Sequence, residues 1–178
     1  CAPTERRELE EGLAALNRRL QDAHEEFASM PQPAALTATM QGYQLEGLRW
    51  AAALHRCGTS GLLCDEMGLG KTLQAIAMLV HLRERGSSNP FLVVAPLSTL
   101  AGWCEQLAAF SPSLTVATHA GSAVERADAL SAAATQRADV IVSSYEAVLR
   151  DAPALKRFAW DYAVLDEAHR LKNSSSLA

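Results

Sequence analysis

Hydrophobic and polar positions change period along this chain, and the changes mark its parts. Across residues 5–28, Leu9, Leu13, Leu16, Leu20 and Phe27 recur at three- and four-residue steps, with Ala23 between the last two. Glu and Arg fill the other faces, so the leucines form one stripe of an α-helix. The expectation is an amphipathic helix laid on the rest of the chain. A short coiled-coil contact with a partner helix is the alternative, and three heptads are marginal for it. Met30-Pro31-Gln32-Pro33 ends the helix and makes a linker, which divides residues 1–33 from residues 34–178. Leu45, Leu48, Ala52 and Leu54 give a second helical stripe over residues 41–57, with Tyr43 and Trp50 nearby and Gly58 as its stop.

The period then alternates. Residues 60–64 read as a short strand, 72–84 as a helix, 91–95 as an all-apolar strand, and 98–110 as a helix capped by Ser98 or Thr99. Residues 114–119 read as a strand, 122–136 as an Ala-rich helix, 139–143 as a strand, 145–150 as a short helix and 162–166 as the last strand. Runs such as Phe91-Leu92-Val93-Val94-Ala95 are apolar at every position, which means strands buried on both faces. Strands alternating with helices predict an α/β fold with a parallel sheet and helices on both sides. Ligands of such sheets sit at the carboxyl ends of the strands.

Composition narrows the classes. The 178 residues are 49% hydrophobic, enough for one sizeable core, and no apolar run approaches the ~20 residues of a membrane span. Net charge is -4, with -3 of it inside residues 1–30, so charge alone gives no argument for nucleic acid. Cys1, Cys57, Cys64 and Cys104 form no C-x-x-C pair, which argues against a zinc site and for reduced thiols. The chain begins with Cys1 and not Met, so the expectation is a fragment or a processed gene model.

The chemistry is concentrated in two stretches. The first is Asp65-Glu66-Met67-Gly68-Leu69-Gly70-Lys71-Thr72. Gly68 and Gly70 let the backbone turn tightly and approach a phosphate without a Cβ in the way. The helix that follows offers unpaired N–H groups to an anion. Lys71 can reach β- and γ-phosphates, and the Thr72 hydroxyl can ligate Mg²⁺. The strict pattern G-x-x-x-x-G-K-[ST] is not met, because Asp65 takes the place of its first Gly. An ordinary Gly-rich turn is the competing explanation. The second stretch is Ala163-Val164-Leu165-Asp166-Glu167-Ala168-His169, a strand ending in paired carboxylates. Asp166 can hold Mg²⁺ beside Thr72, and Glu167 can orient or deprotonate an attacking water. Alone, such a pair reads as a solvated loop. With G-x-G-K-T in the same chain, both are expected to converge on one face of one sheet.

Together these motifs resemble the Swi/Snf family, ATP-dependent DNA translocases of helicase superfamily two that include chromatin remodellers. The resemblance runs from about Met40 to Ala178. Tyr43-Gln44-Leu45-Glu46-Gly47-Leu48-Arg49-Trp50 looks like the family's Q-motif region, and residues 65–72 are similar to its motif I, including the Asp. Val94 to Leu100 with Trp103 looks like motif Ia, and Ser143-Ser144-Tyr145-Glu146 like the segment before motif II. Asp166-Glu167-Ala168-His169 with Arg170-Leu171-Lys172-Asn173 looks like motif II, the DEAH box, with its extension. ISWI-like and CHD-like remodellers look nearest. The resemblance implies a RecA-like P-loop lobe, incomplete here, with ATP and Mg²⁺ as cofactors.

It also implies roles. Gln44 would read adenine, and Asp65, Glu66, Met67, Gly68, Leu69, Gly70, Lys71 and Thr72 would bind the nucleotide, with Thr72 and Asp166 on the metal. Lys71, Asp166 and Glu167 would be catalytic. Ser98, Thr99, Ser144, Tyr145 and Lys172 fall where the family touches DNA, and His169 would couple the site to a neighbouring lobe. Short hydroxyl side chains suit phosphate oxygens and carry no base information. Trp103, Trp160, Tyr43 and Phe91 are expected in core packing. Gln41 stands where the family commonly has Arg, which implies weaker adenine affinity. The implied partners are duplex DNA, nucleosomes and a second RecA-like lobe, with a helix partner for residues 5–28. No membrane partner is implied. The compartment would be the nucleus in a eukaryote and the cytoplasm in a bacterium. Without the second lobe and its arginine fingers, these residues are expected to bind ATP weakly and hydrolyse it barely. The alternative is a truncated, non-catalytic ATP-binding or protein-interaction module.

Overall fold

The computed structural model of the chain describes residues 3–169. Two compact units share them. Of the described residues, 3–32 and 39–78 make the first, and 33–38 and 79–169 the second.

The first unit is helical. Helix α1 (Pro3–Phe27) packs on α2 (Gly42–Arg56). The leucine stripe is only partly used in that contact. Ala23 and Phe27 are buried, Leu16 and Leu20 half-buried, and Leu9 and Leu13 stand 67% and 60% exposed. The far end is tied by polar bonds: Arg19 Nη2 donates to the Cys57 carbonyl at 3.0 Å, and Arg49 Nε to the Met30 carbonyl at 2.9 Å. Gly58, at φ +68°, ends α2 where an L side chain would be strained. Tyr43, expected in the core, is 47% exposed.

The expected strand over residues 60–64 does not form. These residues carry no ladder, and Leu62 is 75% exposed. The stretch runs instead against α2. A Cβ on Gly61 would fall 2.3 Å from Leu54 Cδ1 and 2.5 Å from Trp50 Cη2, so only glycine allows this approach. The apolar run Gly61-Leu62-Leu63 predicts burial, but a strand also requires a neighbour's hydrogen bonds. Helix α3 (Lys71–Glu84) follows the glycine loop, and Leu79 begins the second unit.

The second unit is a parallel sheet of β1 (Phe91–Ala95), β2 (Val116–His119), β3 (Val140–Ser144) and β4 (Tyr162–Leu165), in the order β2-β3-β1-β4. The connecting helices are α4 (Leu100–Phe110), entered through a 3-10 turn at Leu97–Thr99, α5 (Ala123–Ala134), α6 (Tyr145–Arg150) and α7 (Ala152–Leu155). Right-handed crossovers in this order put α4 on one face and α5 to α7 on the other. Side chains agree. Leu92, Val94 and Ile141 pack with Ala133 of α5 and Tyr145 of α6. Cys104 of α4 meets Thr118 at 3.3 Å, and Thr118 shares its face with Val142 and Val93. This is the expected α/β architecture, the RecA-like fold, with β1 and β3 buried at every position.

A buried polar network ties the sheet to α5 and α6. His119 and Ser143 are fully buried, and His119 Nδ1 lies 2.8 Å from Ser143 Oγ. Its Nε2 lies 3.1 Å from Asp151 Oδ2 without hydrogen-bond alignment. Arg126 Nε donates to the same Asp151 oxygen at 2.6 Å. Burial, above all, lowers the His119 pKa below its ordinary 6.5, with Asp151 opposing and Arg126 adding to the shift. The unfolded chain therefore takes up a proton that the folded one refuses, so stability is full above about pH 6.5 and declines below it, down to the folded-state pKa. Asp151, held low chiefly by the Arg126 bond, contributes a second loss only below its ordinary 3.8. Thermal unfolding at pH 7.5 and 5.5 should show the first decline, and His119→Gln should flatten it. An equal slope in the variant would assign the decline elsewhere.

Candidate nucleotide site

The glycine loop lies in the first unit. Gly68 (φ +88°) and Gly70 (φ +75°) take left-handed conformations that L side chains adopt with strain, and between them they swing the chain into α3. Gly70 has a second reason to lack a side chain, because a Cβ there would meet Gln44 Nε2 at 2.4 Å. Gln44 is buried and braces the loop. Its Nε2 donates to the Leu69 carbonyl at 3.1 Å, while its Oε1 accepts from the Gln41 N–H at 2.9 Å. Gln74, one turn into α3, is 3% exposed and donates to Asp65 Oδ2 at 3.4 Å. Its Oε1 fills the space that a Cβ on Gly47 would take.

Lys71 folds back over the loop. Its Nζ donates to the carbonyls of Asp65 at 2.6 Å and Glu66 at 2.8 Å. The loop therefore curls around an ammonium at the start of a 14-residue helix, with the half-buried Thr72 next to it. Met67, 93% exposed, forms the tip. An ammonium, a hydroxyl, two glycine turns and first-turn N–H groups form a donor set that fits a polyphosphate with its cation.

The acidic stretch lies in the second unit. Asp166 follows β4 at the carboxyl edge of the sheet, and its N–H continues the ladder to the Val94 carbonyl at 2.8 Å. Its carboxylate Oδ2 accepts from Trp103 Nε1 at 2.9 Å, and its carbonyl from the Tyr145 hydroxyl at 2.6 Å. Glu167 is in the left-handed region at φ 52°, a strained conformation for a non-glycine residue. Its Oε2 lies 3.0 Å from His169 Nδ1, both side chains being well exposed. Trp103, read from sequence as packing, is indeed buried, but its N–H addresses the first carboxylate of the DEAH stretch. Periodicity could place it on an inner face and could not name that partner.

The hydroxyl residues divide by exposure. Ser98 and Thr99 are exposed in the turn after β1, at the same carboxyl edge. Neither caps α4 with its side chain. Thr99 Oγ1 donates back to the Pro96 carbonyl at 2.9 Å, which closes the turn. Ser144 and Tyr145 are 4% and 8% exposed. Ser144 Oγ accepts from the Ala147 N–H at 3.1 Å and caps α6, while Tyr145 holds Asp166. These two side chains support the edge from within and form no part of its surface. Lys172 lies outside the described residues. Among the described residues no helix is long and apolar enough to cross a membrane.

Comparison with known proteins gives a consistent answer. Residues 43–178 match the model of the SNF2-related domain. The ISWI chromatin-remodeling complex ATPase CHR11 of Arabidopsis thaliana is 43% identical over 153 residues, which is 83% of this chain and 14% of that protein. Human chromatin-remodeling ATPase INO80 is 41% identical over 156 residues, 83% of this chain and 10% of that protein. Among solved structures, the Sulfolobus solfataricus SWI2/SNF2 ATPase core in complex with dsDNA superposes with a TM-score of 0.72 at 34% identity, covering 83% of this chain and 30% of that one. The chain thus spans about a seventh of the first of these curated relatives and a tenth of the second. The matched region takes in the glycine loop, the Trp103 helix and the DEAH stretch alike, and on it the chain belongs to the SNF2-related domain family.

Proposed function

We propose that this chain supplies the ATP-binding lobe of a DNA-dependent ATPase that translocates on duplex DNA and remodels chromatin. The observation that carries the reading is the Lys71 ammonium, seated on two loop carbonyls over two left-handed glycines at a helix start. Neutral carbonyls are weak partners for an ammonium, and phosphate oxygens would be stronger ones. In the first unit Lys71 and the loop amides would take the phosphates and Thr72 would offer its hydroxyl to a Mg²⁺; in the second, Asp166 would be the carboxylate for such a cation and Glu167 the group that orients the attacking water. The cation, when bound, neutralises phosphate charge and polarises the transferred group. Adenine recognition by Gln44 would use the amide that now braces Leu69. Its neighbour Gln41 offers no guanidinium to reinforce it.

Ser98 and Thr99 are the proposed DNA-backbone contacts, with Ser144 and Tyr145 shaping the edge behind them and Lys172 adding charge. Exposed hydroxyls on a turn at the ligand-binding edge support this reading, and a duplex backbone needs no base readout. The named relatives are chromatin-remodeling ATPases, so nucleosomes, a second RecA-like lobe and, for a eukaryotic source, a nuclear location complete the proposal. A helix partner for α1 is favoured by one observation, the exposure of Leu9 and Leu13.

Turnover needs cationic groups on the transferred phosphate, which the second lobe would bring and which are worth ~10³–10⁵ in rate in related systems. These 178 residues alone should bind ATP with Mg²⁺ yet hydrolyse it at close to the uncatalysed rate, with or without duplex DNA, in a single-turnover assay. Robust DNA-stimulated hydrolysis by the chain alone would refute the division of labour. Absence of any Mg-dependent nucleotide binding would refute the site.

A further inference from the structure

Asp166 is gripped from both faces of the sheet. Trp103 reaches its carboxylate from α4, and Tyr145 reaches its carbonyl from α6, the helix on the opposite face. Trp103 is 4% exposed and Asp166 half-buried, so the bond is screened from water on the indole side. An indole N–H has a single donor and takes Oδ2, which leaves Oδ1 as the oxygen to offer a cation. Trp103 also stands one helical turn beyond Thr99. That residue ends the exposed Leu97–Thr99 turn, closed by the Thr99 N–H and hydroxyl on the Pro96 carbonyl, both at 2.9 Å. One turn of helix thus separates this turn from an indole resting on the carboxylate.

We propose that Trp103 is a positioning residue for Asp166. Its N–H fixes which carboxylate oxygen faces the divalent cation of a bound nucleotide, and it passes to that carboxylate the occupancy of the Leu97–Thr99 turn by a DNA backbone. The proposal rests on the reading of Asp166 as the metal-holding carboxylate. Packing alone would need the ring and not the N–H, so a phenylalanine separates the two roles.

The test is a Mg²⁺ titration of ATP binding by the full chain carrying Trp103→Phe, Asp166→Asn or both. Trp103→Phe should raise the half-saturating Mg²⁺ concentration about 3- to 10-fold, a fraction of what a whole hydrogen bond to a charged group is worth, because the bond is already made before the cation arrives. ATP affinity in EDTA should stay within about twofold of the unsubstituted chain. Combined with Asp166→Asn it should add nothing, because one acts through the other. If Asp166→Asn shifts the Mg²⁺ dependence and Trp103→Phe does not, the positioning role falls and the site reading stands. If neither shifts it, the reading of Asp166 falls and takes this proposal with it. A second measurement covers a misfolded variant. In the unsubstituted chain, the ¹H–¹⁵N indole signal of Trp103 should move on adding Mg-ATP and again on adding duplex DNA. The Trp160 signal, whose donor sits on the Leu155 carbonyl at 2.9 Å, is the internal reference. A Trp103 signal that ignores both additions would overturn the proposal.

Discussion

Replacing Lys71 by alanine should weaken ATP binding by roughly 10- to 100-fold, the largest effect expected of any single side chain in the first unit. The estimate follows from charge. A hydrogen bond to an ionised group contributes about 1.5–3 kcal/mol, and because Lys71 gives up two carbonyl acceptors to gain phosphate oxygens, the net loss is on the order of one such bond. The loss should grade with phosphate number: ATP most, ADP less, and AMP within about twofold, because the ammonium reaches the terminal phosphates and not the nucleoside. That gradient separates loss of a phosphate contact from collapse of the loop, which would weaken all three alike. Calorimetric titration of the three nucleotides in Mg²⁺ gives the answer directly. Equal affinities for ATP in the two proteins would remove the phosphate-loop reading altogether. Arginine should not rescue, since its planar fork is longer and differently shaped than an ammonium point charge.

How much of this could be read beforehand depends on the range of the signal. Phe91–Ala95 was legible to the residue, because five consecutive apolar positions between polar turns have few homes other than a strand covered on both faces. The start of α5 was legible too: Ser122 and Glu125 exchange capping bonds at 3.3 and 2.7 Å, a local pattern written in four residues. Residues 60–64 misled, since apolarity predicts burial and cannot supply a ladder partner; Trp50 and Leu54 supplied a surface instead. Helix α7 was missed because Pro153 in a four-residue turn reads as a breaker, although proline at the first turn costs no hydrogen bond. Within the site, the glycines, Lys71 and the two carboxylates were legible as residue types. What they touch was not. Ser144 reads as a phosphate contact by resemblance and is found capping α6. The Trp103–Asp166 bond joins residues 63 apart, and the His119–Ser143 pair residues 24 apart. Periodicity assigns a face to each such side chain, while the partner across that face is chosen by sheet order, which no short window contains.

Glu167 is where the second large effect is expected. In a two-lobed form of the protein with DNA-stimulated turnover, Glu167→Gln should lower the single-turnover rate by about 10²–10⁴, the range of a lost general base, while leaving the ATP dissociation constant within about twofold. The split follows from position. Asp166, the proposed metal ligand, is held by Trp103 and Tyr145, whereas Glu167 projects from a left-handed backbone at the sheet edge with an exposed carboxylate. Strain of this kind persists only where the surroundings hold it, and it aims the side chain away from the line of the strand. The His169 ring lies 3.0 Å from that carboxylate, so it competes with water for Oε2. His169→Ala should therefore leave binding alone and change the rate by no more than about tenfold, far less than the loss of the carboxylate itself. Glutamine keeps the shape and reach and removes the charge and the basicity, so a rate unchanged in Glu167→Gln would show that another group handles the water. A rate loss matched by an equal loss of ATP affinity would instead make Glu167 a structural member of the edge, with the DEAH stretch contributing Asp166 alone to the chemistry.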